Sequence, residues 1–287
     1  MKTHILLLAV SAGSFTLGAD PAVHRDDTLS ARVAAALPTV DALTRAVMGE
    51  LTYLEVAGRP AFLIRPQGEK PPTPMPWVWY APTIGGQPRP AHAWMFRQFL
   101  AGGIAIVGID VGESMGNPRG QAAYSAFHKL LTENHGFAKR ATLMPQSRGG
   151  LMLYNWAAEH PDHVTCIAGI YTVCDISSWP GLRRASAAYE MSEKQLAAVL
   201  PKHNPIDRLA PLAEAGIPIL HIHGDSDKAV PLERNAGELA RRYRKLGGKI
   251  NLIVVPGKGH EEVPEFFQCQ QVADFVIRNA RPGNKKP

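Results

Sequence analysis

Three stretches of this chain carry side chains that can perform acyl-transfer chemistry together. "LMPQSRGGLMLYNWAAEHP" (143–161) sets Ser147 between an apolar run and a helical segment, followed by Arg148, Gly149 and Gly150. "HGDSDKAVP" (223–231) and "VPGKGHEEV" (255–263) bring Asp227 and His260, each just after an apolar run. A serine hydroxyl is a weak nucleophile until a base takes its proton. An imidazole can do so, and a carboxylate behind it fixes its tautomer and stabilises its cation. In this assignment Ser147 attacks a carbonyl, His260 takes and returns the proton, and Asp227 orients His260. A sharp strand-to-helix turn at the serine would lift its Oγ clear of the backbone and free the Arg148 amide to stabilise an oxyanion. Such a turn crowds the residues two before and two after the serine. Gly149 meets that need on one side, but Pro145, without an N–H, stands on the other. Taken alone, "QSRGG" also fits an N-capping serine.

The order serine, aspartate, histidine is that of the α/β-hydrolase triad. With "QSRGGLMLYNWAAEHP", "NPIDRLAPLAEAGIPILHIHGDSDKAVP" and "PGKGHEE", the chain resembles the α/β-hydrolase superfamily. It looks most similar to the prolyl-oligopeptidase-like and dienelactone-hydrolase-like bacterial serine esterases. The pattern Gly224, Asp227, Val230, Pro231 is the more specific part of the match, and the serine motif departs from it at Pro145. The resemblance implies a second oxyanion donor from the loop "APTIGG" (81–86). Pro82 has no amide, so Thr83 is the candidate.

The elements needed to position these residues follow from hydropathy. "WVWYA" (77–81), "GIAIVGIDV" (103–111), "VTCIAGIYTV" (164–173), "IPILHIHG" (217–224) and "KINLIVV" (249–255) lack polar alternation, and a further strand at 140–145 leads into Ser147. Strands apolar on both faces belong to a parallel sheet covered on both sides. Helical segments of suitable length lie between them: 92–103, 121–136, 151–160, 232–248 and 264–280. The alternation predicts a doubly wound, mostly parallel α/β sheet. "LTYLEV" and "RPAFLIRP", parted by Ala57 and Gly58, predict an antiparallel hairpin at one edge. Residues 175–204 are too long for a connection and too polar for a core helix, and are read as a small cap insertion.

Other residues invite other readings. "HIHGDS" (221–226) nearly matches a dinuclear-zinc signature, but Ser226 replaces the last histidine and His221 and His223 alternate within a buried-looking strand. Satisfied core histidines are the simpler reading, and no metal is expected. Glu113 and Ser114 follow a strand at the catalytic edge, as substrate contacts or as a solvated loop. Arg148 can bind a substrate carboxylate or be a surface arginine. Trp179, Arg183, Arg184 and Tyr189 in the cap are placed to line a pocket mouth. Trp94 and Trp156 read as core.

Composition sets the outer bounds. The chain has 287 residues, enough for a single large domain, and 45% are hydrophobic, enough for a sizeable core. The first nineteen, "MKTHILLLAVSAGSFTLGA", have the shape of a secretory signal peptide, so residues 20–287 form the expected α/β-hydrolase domain. No later run reaches the ~20 apolar residues of a membrane span, so no membrane anchor is expected. The net charge of +6 comes from scattered lysines and arginines, with one short run on an amphipathic stretch, which argues against nucleic acid as a partner. Cys166 and Cys174 share one strand and its exit, too far apart to bond, so at least one of the three thiols is unpaired. The expectation is a secreted or periplasmic serine hydrolase, without a cofactor, acting on small-molecule or oligosaccharide esters. A peptidase is the alternative enzyme. A non-catalytic binding protein of the same fold would usually lack one triad member, and here all three candidates are present.

Overall fold

In the computed structural model, residues 27–68 and 72–281 are described; the proposed signal peptide lies outside them. The sheet comprises β1 (Glu50–Val56), β2 (Arg59–Arg65), β3 (Trp77–Ala81), β4 (Ala105–Ile109), β5 (Ala141–Pro145), β6 (Val164–Ile170), β7 (Ile219–Gly224) and β8 (Ile250–Val255). Their order is β1-β2-β4-β3-β5-β6-β7-β8. β1 pairs antiparallel with β2, and β2 with β4; every pairing from β4 through β8 is parallel. This is the doubly wound sheet with an edge hairpin that the apolar runs predict.

The uniform hydropathy of the central strands has a direct structural cause. Along β3, Trp77, Trp79 and Ala81 enter one apolar layer, while Val78 and Tyr80 enter the other. Side chains alternate across a strand, so a strand covered on both faces must be apolar at every position. The first layer is roofed by α4 (Pro118–Asn134), α5 (Gly149–Glu159), α8 (Ala210–Glu214) and α9 (Ala236–Lys245). The second is covered by α1 (Asp27–Ala36), α2 (Val40–Val47), α3 (Ala93–Ala101), α10 (Pro264–Phe267) and α11 (Gln270–Ala280). Each fully buried Val, Leu, Ile or Phe in these layers contributes about 1.5–3 kcal/mol by leaving water. An exposed pair such as Arg32–Glu55 contributes about 0–1 kcal/mol. The layers, and not the surface pairs, hold the fold.

The segment 264–280 is two helices and not the single one expected. Phe266 and Phe267 are buried, and beyond them Val272, Ala273, Val276 and Ala280 are buried too. In one continuous helix Phe266 would share a face with Ala273 and Ala280, but Phe267 would point away, opposite Val276. The extended Cys269 between them (φ −76°, ψ 109°) resets the phase. Helices α1 and α2 precede the hairpin, where the sequence announced no element.

The cap region carries two short helices, α6 (Leu182–Ala188) and α7 (Glu193–Val199), on a separate apolar cluster of Val173, Ile176, Ala185, Tyr189 and Leu196 with Met115, Leu151 and Val230. Asparagines fasten both ends. Asn235 Oδ1 accepts from the Cys174 and Asp175 amides at 2.9 and 3.2 Å, and Asn204 Oδ1 accepts from the Ile176 amide at 2.8 Å. The three cysteines are all free, and no helix among the described residues is long and apolar enough to cross a membrane.

A histidine cluster ties α4 to α5. His128 and His163 stack with ring centroids 4.4 Å apart, and His160 and His163 with centroids 5.8 Å apart. Burial, then the neighbouring histidines, push the His128 pKa below its usual 6.5; burial does the same for His160, His203, His92 and His221. Below pH 6.5 the unfolded chain takes up protons that the folded chain resists. The stability these groups contribute is therefore complete above that pH and lost as pH falls below it. Thermal unfolding midpoints should drop steadily from pH 7 to pH 5, and His128→Gln should flatten that slope. A midpoint independent of pH over this range would contradict the assignment.

Candidate active site

Ser147 is the turn between β5 and α5. Its φ of +48° is left-handed, which costs a non-glycine residue about 1–2 kcal/mol. Neighbouring backbone holds it there. The Ser147 amide donates to the Ile170 carbonyl at 3.0 Å, and the Ser147 carbonyl accepts from Val173 at 2.8 Å and Gly150 at 3.0 Å. A Cβ at position 149 would collide with the Ala81 carbonyl, and one at 150 with the Val173 carbonyl. Both glycines are there because the helix enters between two strand ends with no room for side chains. Pro145 closes β5 opposite Ala81, and the turn forms with the proline in place.

The turn points Ser147 Oγ at His260, whose Nε2 lies 2.8 Å away. On the other side of the ring, His260 Nδ1 is 2.7 Å from Asp227 Oδ2. The carboxylate therefore accepts a hydrogen bond from Nδ1–H, which keeps its proton, and Nε2 is left to accept from the serine. Asp227 has a side chain 0% exposed. Its Oδ1 accepts from the Ala229 and Val230 amides at 3.0 and 2.8 Å. Burial alone would raise its pKa, but hydrogen bonds from His223, His260 and the Val230 amide hold it well below the ordinary carboxylate range.

The loops carrying Asp227 and His260 are laced together. Ser226 N donates to the Lys258 carbonyl at 3.0 Å, and Gly257 N to Asp225 Oδ1 at 2.7 Å. A side chain at Gly224 would strike the Lys258 carbonyl. Asp225 thus joins the two loops, while Asp227 faces the imidazole.

The Arg148 amide donates to no protein acceptor among the described residues, whereas those of Gly149 and Gly150 bond to Gln146 and Ser147. It is open to a ligand oxygen. The Thr83 amide is likewise unpaired, though the Thr83 side chain is buried behind the cleft wall, with Oγ1 3.4 Å from the Tyr80 carbonyl and packed over Gly108. Pro82 and Ile84, on either side of it, border the cleft.

That cleft has a volume of about 500 Å³ and is lined largely by polar groups, among them Gln87, Arg89, Glu113, Arg148, Glu261 and Glu262. Glu113 ion-pairs with Arg148, and Arg148 also lies over the Trp179 ring, 5.1 Å from its centroid. Other candidates fall elsewhere. Ser114 is buried, and Tyr189 donates to the Met115 carbonyl at 3.0 Å as a strut of the cap. Arg183 is exposed and lines nothing in the cleft; its neighbour Arg184 is the cap arginine that reaches Trp179, at 5.9 Å. Trp156 is buried, and Trp94 packs partly buried against the second layer.

His221 and His223 do not converge on a common point as zinc ligands would. His221 Nε2 meets the Tyr154 hydroxyl at 2.7 Å, and His223 Nε2 the Val230 carbonyl at 2.8 Å. Each keeps an unpartnered Nδ1, so they are only half satisfied. Burial pushes the His221 pKa down to about 3 and keeps that ring neutral.

Sequence reasoning missed the layer beneath the serine. Gln146 Oε1 lies 2.6 Å from the Tyr80 hydroxyl and 2.7 Å from His92 Nε2, while its Nε2 donates to the Tyr171 hydroxyl at 2.7 Å. The Tyr171 ring in turn lies 4.4 Å from that of His260. The available signal was a polar Gln146 set inside an apolar strand-to-helix passage, which demands buried partners.

The fold, with this hydrogen-bonded series at the carboxyl ends of its parallel strands, is that of the α/β-hydrolase class. The chain belongs to the prolyl oligopeptidase family, which matches residues 121–278, more than half of its length. No curated protein matches it. Similar solved folds include Porphyromonas gingivalis dipeptidyl peptidase 4 (TM-score 0.63, 13% identity, covering 80% of this chain and 35% of that one). Mycobacterium tuberculosis MPT51 (TM-score 0.63, 15% identity, 81% and 99%) and Est1E from Butyrivibrio proteoclasticus (TM-score 0.61, 15% identity, 80% and 98%) are similar too. The chain thus spans only about a third of the dipeptidyl peptidase. At these identities the likeness establishes the fold.

Proposed function

We propose that the protein is a serine esterase for small, polar carboxylic esters, including acyl groups on carbohydrates or aromatic acids, and that it works in the periplasm or outside the cell. The observation that carries this reading is the hydrogen-bonded series Ser147, His260, Asp227 at an open, polar cleft. Ser147 Oγ attacks the ester carbonyl as His260 Nε2 takes its proton. The amides of Arg148 and Thr83 stabilise the oxyanion. His260 then protonates the departing alcohol, and water releases the acyl group by the reverse proton path. Export rests on the apolar leader "MKTHILLLAVSAGSFTLGA".

The preference for polar substrates is supported by the cap. A lipase lid needs a broad apolar face toward the lipid. The buried residues of α6 and α7 (Ala185, Ser186 and Leu196) are directed into the fold, and Arg183, Arg184, Glu193 and Lys194 are exposed. On nitrophenyl esters from acetate to palmitate, run beside acetylated sugars and feruloyl esters, rates should be highest for short or polar acyl groups. Rates that climb with chain length and jump at an oil–water interface would reject this. Family membership favours a second reading, a peptidase. A nitroanilide and a nitrophenyl ester of the same acyl group separate the two, the esterase reading requiring the ester to be turned over far faster.

A further inference from the structure

Trp179 stands beside the cleft with two guanidinium groups against its ring, Arg148 at 5.1 Å and Arg184 at 5.9 Å from the centroid. Arg148 directly follows the nucleophile, so this cluster begins at the reaction centre. Glu113 engages Arg148 through Nη1 alone, leaving other donors of its five-donor fork open. The Arg148 side chain keeps 33% of its surface in solvent. Arg184 is exposed and has no carboxylate partner among the described residues. Two positive charges therefore gather against one negative charge on the cap side, Arg148 in the cleft lining and Arg184 just outside it. The opposite wall has the reverse balance. Glu262 pairs with Arg89 at 3.7 Å and accepts from Gln87 at 3.3 Å, and Glu261 adds a second carboxylate. An anionic group entering this cleft is repelled by one wall and drawn to the other. Stacking on the indole also limits the freedom of both guanidiniums, so less entropy is lost when they bind a planar carboxylate.

We propose that Arg148, Trp179 and Arg184 form an anion subsite, so that the preferred esters carry a carboxylate on the part of the substrate lying toward the cap. This deepens, and rests on, the esterase reading above. The test compares kcat/KM for the 4-nitrophenyl hemiester of glutarate with that for 4-nitrophenyl valerate, which has the same acyl length without the charge. The wild-type protein should prefer the charged ester, and added salt should weaken the preference. Arg184→Gln should reduce the charged-to-neutral ratio about tenfold, the worth of one charge-assisted hydrogen bond. Arg183→Gln, the exposed neighbour that does not reach Trp179, should change it less than about twofold. A ratio unchanged in Arg184→Gln, or an equal fall in Arg183→Gln, overturns the subsite. Calorimetric titration with the product glutarate tests it without turnover: binding should weaken in Arg184→Gln, and binding that is absent or unaltered overturns the proposal. If neither ester is hydrolysed but glutarate binding depends on Arg184, the esterase reading fails and the subsite stands.

Discussion

Ser147→Ala should lower ester turnover by about 10³-fold or more while leaving the thermal unfolding midpoint close to that of the parent protein. The two halves of this result have separate causes. The Ser147 hydroxyl bonds to His260, so its loss removes the nucleophile and leaves no buried partner stranded. The strained backbone at φ +48° is held by the Ile170, Val173 and Gly150 hydrogen bonds, which alanine retains. Labelling with an organophosphonate, mapped by mass spectrometry, should place the adduct on Ser147 and fail in the variant. Turnover that survives the substitution, or that chelators abolish in the parent, would overturn the serine mechanism and return attention to His221 and His223.

Asp227→Asn should cost on the order of 10⁴-fold in kcat, the scale seen when a triad carboxylate becomes an amide. The cause is proton placement. Asp227 Oδ2 accepts a hydrogen bond from the Nδ1–H of His260, and an amide donor at that position favours the tautomer with its proton on Nε2, facing the serine. Asp225→Asn should cost far less. Asp225 Oδ1 accepts from Gly257 N and the Ser226 hydroxyl, and an asparagine oxygen can do the same. Steady-state kinetics on the two purified variants decide between the aspartates. A larger loss in Asp225→Asn would mean that the relay runs through the wrong carboxylate.

The residues differ in how readable they were from the sequence. The parallel strands were legible because two covered faces force every position to be apolar, as Trp77 to Ala81 are. Gly149 was legible because a crowded turn excludes side chains two residues past the serine; the need for Gly150, set by the distant Val173 carbonyl, was not. The break at Cys269 was not, since each half of the segment 264–280 looks helical alone and only the tertiary packing shows that Phe267 and Val276 are both buried. The choice between Arg183 and Arg184 likewise depends on the rotation of α6, which two adjacent arginines do not encode. The network around Gln146 joins residues 80, 92, 146 and 171, a long-range meeting that no local pattern reports.

The separate apolar cluster under the cap has an evolutionary consequence. α6 and α7 rest on their own small core, and 175–204 reaches the edge of the cleft only through Trp179 and Arg184, which gather beside Arg148. The asparagines that fasten the ends, Asn204 and Asn235, bind main-chain amides and so place few demands on the side chains between them. Random drift can rewrite the outward surface of this segment while the two large layers keep the relay in register. A lineage built on this plan can diversify what it recognises without relearning how to fold, and a laboratory library confined to the exposed positions of α6 and α7 samples new preferences at little risk to stability.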